Sequence, residues 1–252
     1  MAIADARVRV DGISKRFTST GGSVQALADV SFDVAPGEFV CIVGPSGSGK
    51  TTLFRIIAGL ESPTDGAVYL DGTRVTEPGP NMGIVFQEYH LFPWLTARAN
   101  IAFGLDKRGV PAAERDKRVQ DLLDLVGLED FADAYPKELS GGMKQRVGIA
   151  RALAVDPDLL LMDEPFGAVD AQTRVDLQDE LLELWVATGK TILFVTHDVE
   201  EAVTLADRIV IMGSEPGTVM EIIDVELKRP RSRSDPGFGA RYEQVLGQIR
   251  TT

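Results

Sequence analysis

The 252-residue chain is long enough to bury a sizeable core without disulfide bonds or metal sites to stabilise it. Its 44% hydrophobic and 25% charged residues are ordinary for a globular protein. Its 38 acidic residues outnumber its 26 basic ones, and the net charge of −12 argues against broad binding to nucleic acid. No apolar run approaches the roughly 18 residues of a membrane span, the N-terminus lacks a secretory pattern, and a single cysteine excludes an internal disulfide. We therefore expect a cytoplasmic protein, with Cys41 buried in a strand.

The N-terminal part of the chain has the patterning of β-strands. Residues 6–17 and 30–44 contain extended runs, and residues 66–75 indicate a hairpin that turns at Asp71-Gly72. An antiparallel sheet is therefore predicted near the start of the chain.

A glycine-rich segment, GPSGSGKTT at residues 44–52, interrupts this region. It follows the predicted strand EFVCIV and opens the helical pattern LFRIIAGL, which is the context of a phosphate-binding loop. Its glycines let the backbone approach phosphate, and the helix N-terminus adds positive potential. We expect Lys50 to reach the β- and γ-phosphates of a nucleotide and the Thr51 hydroxyl to bind Mg²⁺. A glycine-rich turn without function is the alternative.

The middle of the chain, from about Tyr89 to Ala154, has helical periodicity, with an apolar stripe at positions 119, 122, 123 and 126. Strand-like and helical segments alternate after it. This order predicts one α/β domain over residues 1–252, with a core of residues 1–87 and 155–225, a helical subdomain of residues 88–154 and a tail of residues 226–252. The basic segment LKRPRSR at residues 227–233 of that tail is expected to be a solvated connector.

Candidate catalytic residues lie where predicted strands end. Asp163 and Glu164 close the run LLLM, His197 follows TILFVT, and Gln87 follows MGIVF. Open α/β sheets bind their ligands at the carboxyl ends of the strands. We expect Asp163 to hold Mg²⁺ through water, Glu164 to orient or deprotonate the attacking water, and His197 to hydrogen-bond the γ-phosphate.

Each of these residues also has a structural alternative. The two carboxylates could belong to an ordinary turn, and His197 could be a structural residue at a strand end. Gln87 is equally consistent with contact to Mg²⁺ or the attacking water and with no catalytic role. His90 is expected to be a surface or lobe-packing residue.

A second Ser-Gly-Gly loop, LSGGMKQR at residues 139–146, has no lysine of its own. Together with GPSGSGKT, Gln87, LLLMDEP and His197, it resembles the nucleotide-binding subunit of ATP-binding cassette transporters, in family order and over nearly the whole chain. The resemblance implies a P-loop NTPase core of the RecA type, with an N-terminal antiparallel β subdomain and an inserted α-helical signature subdomain.

The resemblance also implies roles for individual residues. Asp163 matches the Walker B aspartate, Glu164 the catalytic glutamate, Gln87 the Q-loop and His197 the switch histidine. Phe17 matches the aromatic residue that stacks on adenine, although it could be an ordinary strand aromatic. The residues that match the Walker A loop are Gly44, Pro45, Ser46, Gly47, Ser48, Gly49, Lys50, Thr51 and Thr52.

In this family the signature loop caps the γ-phosphate of ATP bound to another subunit. By resemblance, Ser140, Gly141 and Gly142 complete the site of a partner chain, which is a second copy or a related ATPase. The resemblance thus implies a head-to-tail dimer with two ATP molecules at its interface. Asp170 belongs to the D-loop GAVD, where Val169 stands at a position commonly held by leucine.

The chain is similar to importer subunits in particular. FGAVD and the segment SEPGTVMEIIDVELKRPRS resemble the nitrate, sulfonate and taurine group, which implies two integral membrane permease subunits, an extracytoplasmic solute-binding protein and a position at the cytoplasmic face of the membrane. The cluster of Leu91, Phe92, Pro93 and Trp94 either forms a groove for a helix of the membrane subunit or packs inside the helical lobe. The resemblance also implies that the solute is recognised by the binding protein and the permease and not by this chain.

Three other classes of protein also contain ATP-binding cassettes. An exporter or a lipid-extracting assembly with separate subunits remains an alternative. A DNA-repair ATPase would insert long coiled coils between the phosphate loop and the signature, where this chain has only a compact lobe, and a translation-associated protein would carry two cassettes. No nucleic-acid partner is expected.

Overall fold

The computed structural model describes residues 5–19, 22–167 and 169–250. In chain order its strands are β1 (Val8–Ser19), β2 (Gly22–Val34), β3 (Phe39–Val43), β4 (Asp65–Leu70), β5 (Thr73–Arg74), β6 (Met82–Val85), β7 (Leu159–Asp163), β8 (Thr191–Val195), β9 (Arg208–Met212) and β10 (Val219–Asp224). Its α-helices are α1 (Lys50–Ile57), α2 (Ala97–Lys107), α3 (Ala112–Leu125), α4 (Gly141–Ala154), α5 (Ala171–Thr188), α6 (Val199–Leu205) and α7 (Pro236–Arg250).

The chain divides into two compact units. The first comprises the residues up to Gly79 and those from Thr191 onwards, and the second comprises Pro80–Lys190. No helix within the described ranges is both long and apolar enough to cross a membrane.

The first unit contains an antiparallel sheet in the order β2-β1-β4-β5. The hairpin between β4 and β5 turns at Asp71 and Gly72, whose φ angles of 47° and 73° are the positive values that such a turn requires. The predicted hairpin and the predicted antiparallel sheet are therefore confirmed.

The first unit also contains a parallel arrangement in which β3 pairs with both β8 and β9, while β10 joins β9 in antiparallel orientation. Every residue of β3 and β8 is buried, as expected for strands covered on both faces. Cys41 in β3 is completely buried, and this burial raises the pKa of its thiol. The prediction of a buried strand cysteine is confirmed.

Residues 227–233 form a connector without helix or strand, but the prediction that this connector is solvated is wrong for two of its arginines. Arg229 donates to Asp207 Oδ1 at 2.7 Å, and Arg231 donates to the carbonyl oxygens of Val203 at 2.7 Å and Ala206 at 2.6 Å. The segment thus binds the C-terminal end of α6, before α7 packs against α6 and β9.

The second unit contains two parallel strands, β6 and β7, with α2, α3 and α4 between them in the chain. Val119, Leu122 and Leu123 of α3 are buried, which confirms the apolar stripe. Helix α4 packs against α2 and α3, so the predicted inserted helical region is present and the α/β class is confirmed. Helix α5 follows β7.

Candidate active site

The phosphate loop of the first unit connects β3 directly to α1. Gly47 and Gly49 have φ angles of 85° and 80°, a conformation that favours glycine. At Gly44 the backbone passes so close to β9 that an added Cβ would lie 2.5 Å from the carbonyl oxygen of Met212. Substitution of these glycines would therefore disturb the course of the loop.

Lys50 is the first residue of α1 and is buried, with 6% of its surface exposed. Its Nζ donates to the carbonyl oxygens of Gly44 at 2.8 Å and Pro45 at 2.9 Å. The ammonium group thus lies inside the curve of the loop. A cation beside a helix N-terminus and a glycine-rich backbone is suited to binding phosphate oxygens.

The remaining residues of the loop differ in exposure. Ser48 is buried, whereas Ser46 and Thr51 are exposed and Pro45 and Thr52 are intermediate. The Thr51 hydroxyl lies in the first turn of α1, next to Lys50 in the chain. An exposed hydroxyl at this position is accessible to a metal ion that accompanies a bound nucleotide.

His197 lies in the same unit, two residues after the end of β8, and is exposed. The preceding residue, Thr196, donates its backbone N–H to the carbonyl of Ile42 in β3 at 3.1 Å. Asp198 then caps α6 by accepting from Glu200 N at 2.8 Å. The histidine is thus an exposed side chain between two anchored residues.

Phe17 of β1 is 44% exposed, as a ring that stacks on a base would need to be. Lys15 Nζ lies 4.9 Å from the centre of this ring and donates to Glu61 Oε1 at 2.6 Å. The hydrogen bond from Lys15 lowers the pKa of the Glu61 carboxyl.

The second unit brings Gln87, Asp163 and Glu164 to the carboxyl ends of β6 and β7. Asp163 is the last residue of β7 and is 8% exposed, and Glu164 follows it with an unusual positive φ of 45°. Gly167 closes a turn by donating to the carbonyl of Glu164 at 3.0 Å, and an added Cβ on Gly167 would lie 3.1 Å from Nε2 of Gln87. The Gln87 side chain therefore contacts the turn that carries Glu164.

The signature loop begins α4. Ser140 caps the helix, since its hydroxyl accepts from Met143 N at 3.2 Å. This hydroxyl still has its own O–H to donate. Gly142 is buried against α5, where an added Cβ would lie 2.6 Å from Cγ2 of Thr173.

Asp170 caps α5 in a similar manner. Its Oδ1 accepts from Gln172 N at 3.2 Å and Thr173 N at 3.1 Å, and its Oδ2 accepts from the Thr173 hydroxyl at 2.7 Å. The hydrogen bond from that hydroxyl lowers the pKa of the Asp170 carboxyl. Thr173 thus links the D-loop to the signature helix.

The segment after Gln87 is held by two residues that the sequence did not single out. Asn100 of α2 is completely buried, and its amide accepts from Phe92 N at 2.8 Å and donates to Leu95 O at 3.0 Å. Arg151 of α4 donates to the carbonyl of His90 at 2.7 Å. The neighbouring sequence does not indicate the role of either residue, because their partners are loop carbonyls and amides whose position depends on tertiary packing.

These contacts leave partly exposed an aromatic surface formed by Phe92 and Trp94. Phe92 packs against Phe103 with 4.4 Å between ring centres, whereas Trp94, 5.6 Å from Phe92, is 70% exposed. His90 is exposed and meets the ring of Phe86 edge-on. Part of the predicted cluster therefore packs within the unit, and Trp94 does not.

Comparisons with known proteins agree over most of the chain. The model of the ABC transporter family matches residues 27–167. The nitrate import ATP-binding protein of Synechocystis sp. is 48% identical over 252 residues, covering 96% of this chain and 95% of that protein. The aliphatic sulfonates import ATP-binding protein of Bacillus cereus is 46% identical over 242 residues, covering 96% and 95%.

A solved structure shares both fold and sequence features with the chain. A dimeric ATP-binding cassette in a post-hydrolysis state, bound to ADP and Pi, aligns with a TM-score of 0.78 at 35% identity, covering 88% of this chain and 100% of the other. With the phosphate loop, the strand-end carboxylates and the capped signature helix, these similarities identify the chain as a member of the ABC transporter family, an ATP-hydrolysing cassette with the P-loop NTPase fold.

Proposed function

We propose that this chain binds and hydrolyses Mg-ATP to power import of a small anion or organic solute of the nitrate, sulfonate or taurine type. The buried ammonium of Lys50 inside the phosphate loop is the observation that carries the nucleotide-binding part. The functions of its nitrate and sulfonate relatives support the solute class.

In this proposal the phosphate loop, Gly44 to Thr52, binds the phosphates of ATP. Lys50 exchanges hydrogen bonds to two neutral carbonyl oxygens for hydrogen-bonded ion pairs with the negatively charged phosphate. Phe17 stacks on the adenine, and His197 donates to the γ-phosphate. These assignments are supported by the exposure of both side chains and by their match to the family motifs.

The residues proposed to hold Mg²⁺ have suitable chemistry. Thr51, Gln87 and Asp163 offer a hydroxyl, an amide oxygen and a carboxylate, which are the hard ligands that Mg²⁺ prefers. In the proposed site, phosphate oxygens and water complete the coordination of the ion. When bound, Mg²⁺ neutralises charge that develops on the phosphate oxygens.

Glu164 is proposed to accept a proton from the attacking water or to orient that water. Gln87 is proposed to contact the same water molecule. The turn from Glu164 to Gly167 supports this role, because the Gln87 amide already lies beside it. The water oxygen bonds to the γ-phosphorus while the bond to the ADP oxygen breaks.

A second copy of the chain, or a related ATPase, is proposed to complete the site. Ser140, Gly141 and Gly142 stand at the N-terminus of α4, where backbone N–H groups and a hydroxyl can meet the γ-phosphate of the partner's ATP. Asp170 is proposed to act at the same interface. The dimeric cassette of similar fold supports this arrangement.

Two integral membrane permease subunits are the further proposed partners. Trp94 is exposed while Asn100 holds the surrounding loop, so the aromatic surface is preformed for a short helix of a permease. The chain would then be a peripheral protein at the cytoplasmic face of the membrane. A solute-binding protein outside the membrane would reach it only indirectly through the permease.

The decisive experiment is affinity purification of the Glu164→Gln chain from native membranes in Mg-ATP. We expect hydrolysis to fall by at least about 100-fold, as for loss of a general base, and the ATP-bound complex to persist. Co-purification of a multi-span protein supports the transporter role, and Trp94→Ala should reduce its recovery. Unchanged turnover would refute the role of Glu164, and recovery of soluble partners alone would refute the role in transport.

A further inference from the structure

A buried polar pair lies directly beside the exposed His197. The hydroxyl of Thr196 donates to Glu201 Oε2 at 2.6 Å and accepts from the backbone N–H of Asp198 at 3.0 Å. Thr196 is 2% exposed and Glu201 is 5% exposed. The threonine side chain thus links the peptide unit that follows the histidine to the carboxylate of Glu201 in α6.

Glu201 is an unusual residue for its position. It occupies the buried face of α6 with Val199, Ala202 and Val203, and α6 packs against β3. Burial is the main cause of the raised pKa of the Cys41 thiol in that strand, and the charge of Glu201 raises this pKa further. Burial of a carboxylate is costly, and an apolar residue would fill this face without that cost. The hydrogen bond from Thr196 accounts for a carboxylate at this buried position.

The backbone of this segment is also tied to the phosphate loop. Thr196 N donates to the carbonyl of Ile42, two residues before Gly44, and Asp198 caps α6. The turn that carries His197 is therefore fixed by β3 on one side and by α6 on the other, and the Thr196–Glu201 bond joins the two.

We infer that Thr196 and Glu201 are positioning residues for His197, and that their hydrogen bond sets the rate of ATP hydrolysis rather than the affinity for ATP. The inference rests on the proposed contact of His197 with the γ-phosphate. Neither residue touches nucleotide, so the effect of each passes through the histidine.

The test compares steady-state ATP hydrolysis by purified full-length variants. Thr196→Val keeps the side-chain shape but removes the hydroxyl, and we expect kcat to fall about tenfold, the factor that corresponds to one hydrogen bond of ordinary strength, with KM for ATP within about twofold. Thr196→Ser keeps the hydroxyl and should retain most of the activity. Glu201→Leu should resemble Thr196→Val, whereas Glu201→Gln keeps an acceptor oxygen and should be milder.

Thr191→Val is the matched control. Thr191 is 1% exposed at the other end of β8, and its hydroxyl accepts from Gly37 N at 2.9 Å. It should lose as much thermal stability as Thr196→Val while kcat stays unchanged. If Thr191→Val lowers kcat equally, or if Thr196→Val leaves kcat unchanged, the inference is wrong.

A double variant separates this inference from the proposed function. Because Thr196 acts through His197, adding Thr196→Val to His197→Ala should lower kcat no further, and an additional tenfold loss would overturn the inference. Normal turnover of His197→Ala would instead refute the proposed role of the histidine. Should Thr196→Val fail to fold, Glu201→Gln and Glu201→Leu provide the same comparison, each measured with and without His197→Ala.

Discussion

At the scale of single residues, one methyl group constrains the signature loop. Cγ2 of Thr173 occupies the space that a side chain at Gly142 would need. Thr173 cannot readily rotate away, because its hydroxyl donates to Asp170 Oδ2 at 2.7 Å and β-branched side chains are stiff at χ1. Gly142 is therefore required for packing between α4 and α5, independently of any contact with nucleotide.

Gly142→Ala should consequently destabilise the protein by about 1–3 kcal/mol, the usual cost of overpacking. Thr173→Ser removes the obstructing methyl but keeps the hydroxyl that bonds to Asp170, so the double variant should recover most of this loss. Chemical denaturation measures both changes. Gly247→Ala is the control, since a Cβ at this exposed position in α7 meets nothing within 4 Å and should stabilise by up to about 1 kcal/mol.

Failure of Thr173→Ser to rescue Gly142→Ala would show that the glycine is needed for a reason other than the methyl contact. A separate measurement of ATP hydrolysis would then distinguish a role at the phosphate from a role in packing.

At the scale of elements, the segment after β10 holds the end of α6. Helix ends leave carbonyl groups without partners inside the helix, and Arg231 donates to three of them, those of Val203, Thr204 and Ala206. Burial lowers the pKa of this guanidinium to about 10, so the group remains cationic at neutral pH. The arginine acts as a C-terminal cap supplied from a distant part of the sequence.

Arg231→Met should therefore lower the free energy of unfolding by about 1.5–3 kcal/mol, the range for hydrogen bonds to a charged group. Arg233→Met is the matched control, because its side chain is 75% exposed and a surface ion pair contributes only about 0–1 kcal/mol. Thermal and urea unfolding of the two variants provide the comparison. Equal effects would mean that the segment is bound only weakly.

Features that depend on local contacts could be predicted from the sequence, whereas those that depend on distant contacts could not. The Asp71-Gly72 hairpin and the apolar stripe of α3 were predictable because turn chemistry and helical period act within a few residues. Arg231 and Glu201 were not, because an arginine between prolines and serines resembles solvated chain, and a glutamate in VEEAV resembles an exposed helix face. Their partners lie on elements whose packing no local pattern specifies.

Helical character in the sequence also continues past the end of α6. The segment VEEAVTLADRI has helical character through Ile209, yet the helix ends at Leu205. Asp207 instead exchanges hydrogen bonds with Phe39, and Arg208 begins β9 beside β3. Pairing with a central strand overrode local propensity. The predicted division at residues 88 and 154, like the catalytic assignments, stays a prediction.

At the scale of the whole molecule, the proposed catalytic residues are distributed over the chain. Lys50 and His197 belong to the first unit, whereas Glu164 and the signature residue Ser140 belong to the second. The hydroxyl of Ser140 serves two purposes in the proposed dimer, since it caps α4 and would donate to the partner's γ-phosphate. A variant of Ser140 must therefore be compared with one that loses only a cap.

Thr96→Ala provides that comparison, because Thr96 caps α2 in the same unit by accepting from Ala99 N at 3.2 Å. Each alanine variant should lose about 1 kcal/mol of stability with its cap. In the Glu164→Gln background with Mg-ATP, Ser140→Ala should shift the dimer towards monomer in sedimentation velocity while the monomer still binds ATP, and Thr96→Ala should leave the dimer intact. Loss of ATP binding by the Ser140→Ala monomer would contradict capping across the dimer, because the residue would then act on its own chain's nucleotide.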